Sequence, residues 1–80
     1  MELGERIRRA RENFPGGKMS QEALAEMVGV TRGAVSQWEL GGIADISALN
    51  LYNLSLALRV DFVQLLTGKT RKITEGEMTF

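Results

Sequence analysis

Apolar residues recur at helical spacing five times along this chain, and each recurrence is bounded by residues that begin or end helices. Leu3, Ile7, Ala10 and Phe14 share one face of a first helix, from about residue 2 to 13, which Pro15-Gly16-Gly17 cannot continue. Ser20 is an N-cap for a second helix over about 21–28, with Leu24, Met27 and Val28 on one face. Gly29 suits the left-handed residue just past that helix. Thr31 caps a third helix carrying Ala34, Val35 and Trp38 on one side and ending near Gly41-Gly42. Ser47 caps a fourth through about Leu58, with Leu51, Leu54, Ala57 and Leu58 inward; Asp61 caps a fifth that stops before Gly68. The pattern predicts an all-α domain of five short helices over residues 1–68. The tail, "KTRKITEGEMTF" at 69–80, has no helical period. Its "RKIT" reads as a short strand or a linker, and the whole tail suits either the end of a small complete protein or the start of a linker.

Eighty residues hold one domain, with no second unit to house a separate activity. The chain contains neither cysteine nor histidine. Disulfides, thiolate zinc sites and the commonest general base are therefore ruled out, and the carboxylates are dispersed along amphipathic helices instead of converging. No catalytic activity, metal, cofactor or small-molecule ligand is expected. The formal net charge is zero, so bulk electrostatics does not announce a nucleic-acid partner. Arg6, Arg8, Arg9, Arg11, Lys18 and Arg32 alternate with Glu2, Glu5, Glu12, Glu22, Glu26 and Glu39. No apolar run approaches the roughly 18 residues of a membrane span, and the N-terminus lacks the apolar core of a signal peptide. The reading is a soluble cytosolic protein without a membrane partner.

The third helix changes the picture. Counting about 100° per residue from Arg32 places Gly33 near 100°, Ser36 near 40° and Gln37 near 140°, whereas Ala34, Val35 and Trp38 occupy roughly 200° to 300°. Arg32, Ser36 and Gln37 thus point outward, and Gly33 between them lets a partner approach the backbone. Arginine and glutamine make bidentate contacts to guanine and adenine edges, so this face has chemistry suited to a major groove. In the preceding helix Ala25 is small where two helices would cross, Gly29 supplies a sharp turn, and Val30, Val35 and Trp38 can wedge the pair on a common core.

At this point "SQEALAEMVGVTRGAVSQWE", residues 20–39, resembles the helix-turn-helix of the phage repressor and Cro superfamily, the XRE family. The family's Gln, Ala, Gly and branched residue stand here as Gln21, Ala25, Gly29 and Val35. "GERIRRARE" before the motif and "LNLYNLSLALRVDFVQLLTG" after it are also similar to the family, so the resemblance covers about residues 3–68. It implies a compact five-helix bundle of the lambda-repressor-like type that docks as a homodimer on a pseudo-palindromic double-stranded operator and represses transcription. By position in the motif, Arg32, Gly33, Ser36 and Gln37 would read base edges. Gln21 would touch the DNA backbone and buttress the third helix, or stand as an ordinary first-turn polar residue; Thr31 would add a backbone contact. Arg11 and Glu39 match a structural ion pair joining the first helix to the end of the third.

The departures are specific. "LGGIADIS" offers Asp45 where the family commonly carries Lys or Arg after the third helix, leaving phosphate contacts there to backbone N–H groups. "PGGK" lengthens the first loop, making Lys18 either a replacement phosphate contact or a solvated side chain. Arg59 stands where glycine usually ends a helix, implying backbone strain or a different cap. Leu49, Leu56, Phe62 and Val63 are apolar where the family is more often polar. Phe62 and Val63 are assigned to the dimer interface; extra core, or packing against the tail, is the other reading. A protein-interaction module such as the antitoxin of a toxin–antitoxin pair is the alternative function.

Overall fold

The computed structural model describes residues 2–42 and 46–69. Five helices follow one another: α1 (Leu3–Glu12), α2 (Gln21–Val28), α3 (Arg32–Glu39), α4 (Ala48–Leu58) and α5 (Phe62–Thr67). No strand occurs among the described residues. Asp45 and residues 70–80, with the "RKIT" segment, lie outside them.

Four of the five helices begin with the same device. The side chains of Ser20, Thr31, Ser47 and Asp61 accept hydrogen bonds from the backbone N–H three residues on, at 3.0–3.1 Å. Each supplies a partner to a donor that the first turn of a helix leaves unpaired. In α1, Glu2 makes no such cap, and that helix is fixed by tertiary contacts instead.

The core is assembled from Ile7, Leu24, Ala25, Val28, Val35, Trp38, Leu51, Leu54, Ala57, Leu58 and Leu65, with Met19 from the first loop. Fully burying a side chain such as Leu54 stabilises by about 1.5–3 kcal/mol relative to leaving it in water. α2 lies between α3 and α4, while α1 spans α3, α4 and α5.

Met27 departs from the expected inward face: it is 58% exposed. The buried residues of α2 are Leu24, Ala25 and Val28. With about 100° per residue, that arc is centred between Leu24 and Ala25, which carries Met27 round to solvent. No helix among the described residues is long and apolar enough to cross a membrane.

Candidate nucleic-acid interface

The turn between α2 and α3 is set by backbone hydrogen bonds. Gly29 adopts the left-handed conformation, φ 84° and ψ 32°, and the N–H groups of Gly29 and Val30 both donate to the Ala25 carbonyl at 2.8 and 2.9 Å. This closes α2 and sends the chain directly into the Thr31 cap of α3. Half-buried Val30 packs on the core beside the turn, so the angle between the helices is fixed from inside.

α3 then divides into two faces. Val35 and Trp38 are buried in the core. Arg32, Gly33 and Gln37 are exposed, and Ser36 is half-buried beside them. At Gly33 the atom nearest to where a Cβ would stand is Thr31 Oγ1, 3.8 Å away, so the backbone is open to a partner's surface. The helix ends in a left-handed turn at Gly41, where the Gly41 N–H donates to the Trp38 carbonyl at 3.1 Å and the Gly42 N–H to the Gln37 carbonyl at 2.8 Å. The Gln37 side chain lies back along this turn: its Oε1 is 2.9 Å from the position a Cβ on Gly42 would take. That atom is the end of a flexible, exposed side chain, so a Cβ at Gly42 would turn it aside at little cost.

Behind α3 sits a buried ionic cluster. Arg11 Nε donates to Glu39 Oε2 at 2.7 Å and Arg11 Nη2 to Glu39 Oε1 at 2.9 Å, a bidentate pair. Its remaining nitrogen, Nη1, donates to the Met19 carbonyl at 2.9 Å. Gln21 Nε2 donates to Glu39 Oε1 at 3.0 Å. One carboxylate thereby holds α1, α2 and the end of α3, and the two charged side chains are only 8% and 4% exposed. The hydrogen bond to Glu39 is the main cause that holds the Arg11 guanidinium above the usual arginine pKa; burial opposes it, and the charges of Glu39 and Glu12 add to it. A raised arginine contributes stability that is fully present below its unfolded pKa and is lost only in strong alkali. This contribution is flat across neutral pH.

Gly4 lies where α1 crosses the end of α3, and a Cβ there would strike the Trp38 carbonyl oxygen. The close approach brings Arg11 within reach of Glu39. This glycine escapes a reading of periodicity because its partner is backbone.

Among the remaining expected site residues, Lys18 is exposed in the loop before α2, and Thr31 is exposed with its hydroxyl oxygen occupied as a cap. Phe62 and Val63 are both half-buried. The Phe62 ring packs on the core and tilts against Tyr52, centroids 6.4 Å apart. The openly exposed apolar side chains of this region are Leu49, Tyr52 and Leu56 along α4 and Leu66 on α5. Arg59 takes the strained alternative: its φ is 57° and ψ 41°.

A helix pair with a tight left-handed turn, its second helix pinned from behind and presenting a polar face, defines a DNA-binding transcription regulator of the XRE, Cro/repressor-like type. The helix-turn-helix family model matches residues 7–65, and the chain belongs to that family. Among solved structures, it is similar to the P22 c2 repressor protein in complex with synthetic operator 9T: 39% identity over 86% of this chain and 98% of that one, TM-score 0.74. It is also similar to SinR, the master regulator for biofilm formation, in complex with DNA: 31% identity, 81% of this chain and 98% of that one, TM-score 0.70. The restriction-modification controller protein C.AhdI from Aeromonas hydrophila shares 33% identity over 79% of this chain and 89% of its own, with a TM-score of 0.67. No curated protein sequence gives a significant match.

Proposed function

We propose that the domain reads a specific double-stranded DNA sequence as a homodimer on a pseudo-palindromic operator and acts as a repressor. The observation that carries this reading is the exposed face of α3: Arg32, Gly33 and Gln37, with Ser36 at its edge, stand on a helix whose opposite face is locked by Val35, Trp38 and Glu39. A major groove about 12 Å wide admits a helix of this kind, and rigid support gives the readers a defined geometry. Arg32 and Gln37 are the principal base readers and Ser36 is secondary. Gln21, Thr31 and Lys18 face the sugar-phosphate backbone, with Gln21 also bracing α3 through Glu39. The resemblance to a repressor solved on a synthetic operator supports the same assignment. With zero net charge, binding rests on a few placed contacts more than on a general field. The second copy meets α5 at Phe62 and Val63, placing two α3 helices about one helical turn apart, roughly 10 base pairs centre to centre.

The test is recovery of bound sites from random duplex DNA, followed by titration of variants on the recovered site. Gln37→Ala should lower specific affinity by about 1–3 kcal/mol and relax preference at one base position per half-site. Lys18→Ala should weaken specific and non-specific binding alike and flatten the salt dependence by about one unit of slope. Should Arg32→Ala and Gln37→Ala, still helical by circular dichroism, bind every duplex as the parent does, α3 does not read bases. A protein-interaction role then takes its place.

A further inference from the structure

A groove of about 500 Å³ opens between the C-terminal half of α1, the turn after α4, and α5. Ala10, Leu58, Val60 and Leu65 give it an apolar lining. Arg6, Arg9 and Arg59 also line it, and no acidic side chain does among the described residues. Small-molecule sites have this make-up: roughly 300–1,000 Å³, mostly apolar, with a few placed polar groups. No residue of α2 or α3 contributes, so the groove is separate from the proposed DNA-reading face.

Arg59 supplies an independent observation. Among the described residues it is the one non-glycine with a positive φ. Strain of that kind persists where the surrounding structure or a function depends on the side chain. Gly29 makes an equivalent turn after α2 without it. Arginine at this position adds a guanidinium held 5.6 Å from the centre of the Phe14 ring, at the lip of the groove. Arg6 is engaged with the carbonyls of Leu65 and Leu66, both at 2.7 Å, and fixes one end. Arg9 contacts Glu5 at 3.4 Å in an exposed pair, which an anion in the groove can displace at little cost.

We propose that this groove binds a small amphipathic organic anion, with its apolar body on Ala10 and Val60, above the buried Leu58, and its carboxylate, sulfonate or phosphate group between Arg9 and Arg59. The lining selects for both halves of such a ligand. An uncharged apolar molecule forfeits the arginines, and a bare inorganic anion forfeits the floor.

Anilinonaphthalene sulfonate, an aromatic body with one sulfonate, is a suitable probe of the whole chain. Fluorescence titration should show saturable binding of one probe per chain, and amide NMR shifts should cluster at Asn13, Arg59, Val60 and Gln64. Arg9→Ala and Arg59→Gly should each weaken the probe by about two- to fivefold, as loss of a partly exposed ion pair does. Arg59→Gly relieves the left-handed strain, so it tests the site without threatening the fold. The uncharged analogue N-phenylnaphthylamine should bind more weakly than the sulfonate. Three results overturn the proposal: shifts centred on Leu49, Tyr52 and Leu56 instead, unchanged affinity in the Arg9→Ala, Arg59→Gly double variant, or equal binding of the uncharged analogue.

Discussion

Arg6 and Arg11 lie on one helix, about 140° apart around its axis, and each ties α1 to a different part of the fold. Arg11 meets a side chain: Glu39 takes two of its N–H groups in a pair that is nearly excluded from water. Arg6 meets backbone, donating to the Leu65 and Leu66 carbonyls where α5 ends. Both arginines serve helix C-termini, but in opposite senses. The Arg6 cation complements the partial negative charge at the end of α5. Glu39 is an anion in the last turn of α3, unfavourably placed relative to that dipole, and Arg11 offsets the penalty. An opposite-charge pair couples two elements through a charge that neither can leave unpaired; a carbonyl cap only adds to a helix that water would otherwise solvate. The α1–α3 junction should accordingly be the stiffer and more costly one to break.

The largest effect is expected at Glu39→Ala. It leaves the Arg11 charge buried with the Met19 carbonyl and the more exposed Glu12 at 4.0 Å, and should cost about 3–5 kcal/mol in urea unfolding. A loss below about 1 kcal/mol, the range of exposed pairs, would mean that Arg11 escapes to water.

Gly4→Ala sharpens the contrast without touching charge. Its methyl group is driven into the Trp38 carbonyl, backbone that cannot rotate aside, so about 1–3 kcal/mol should be lost as in other overpacked sites. An unchanged thermal midpoint would show that α1 slides along α3 freely.

Arg6→Ala should cost about 1 kcal/mol, since half-exposed hydrogen bonds are discounted by solvent. The damage should be local, with amide exchange accelerating in residues 62–67 while α3 keeps its protection. Equal acceleration in both helices would erase the distinction between the junctions.

The smallest effect has the opposite sign. Arg59→Gly removes a left-handed side chain at the expense of its contact with Phe14, for a net gain of about 0.5 kcal/mol. A loss of stability would show that the ring contact outweighs the strain.

Helix limits were readable because they are local chemistry. Ser20, Thr31, Ser47 and Asp61 carry their own hydrogen-bonding oxygen, and the N–H they serve is three residues away in the sequence. The first helix has no such cap, and its expected limits overshoot by a residue at each end. The division of α3 into two faces follows from angular counting alone. Contacts to backbone are different. Nothing in the residue types at 6, 65 and 66 links a guanidinium to two carbonyls, and nothing at 4 announces that a glycine is clearing space for the Trp38 carbonyl. Buried Ser55 eluded the apolar pattern because its hydroxyl is satisfied within α4, donating to the Tyr52 carbonyl at 2.6 Å. Met27 falls outside the buried arc because Ala25, not Met27, flanks Leu24 and Val28 on the core side, which depends on the neighbouring helices and not on residue type.

The separation of the two faces of α3 has an evolutionary consequence. Positions 35, 38 and 39 carry the wedge and the lock, whereas 32, 33 and 37 touch solvent and share none of those contacts. Exposed substitutions away from caps and cores usually change stability by no more than about 0.5 kcal/mol. Lineages of this domain can therefore drift at the outer positions and acquire new sequence preferences one residue at a time, without passing through unfolded intermediates.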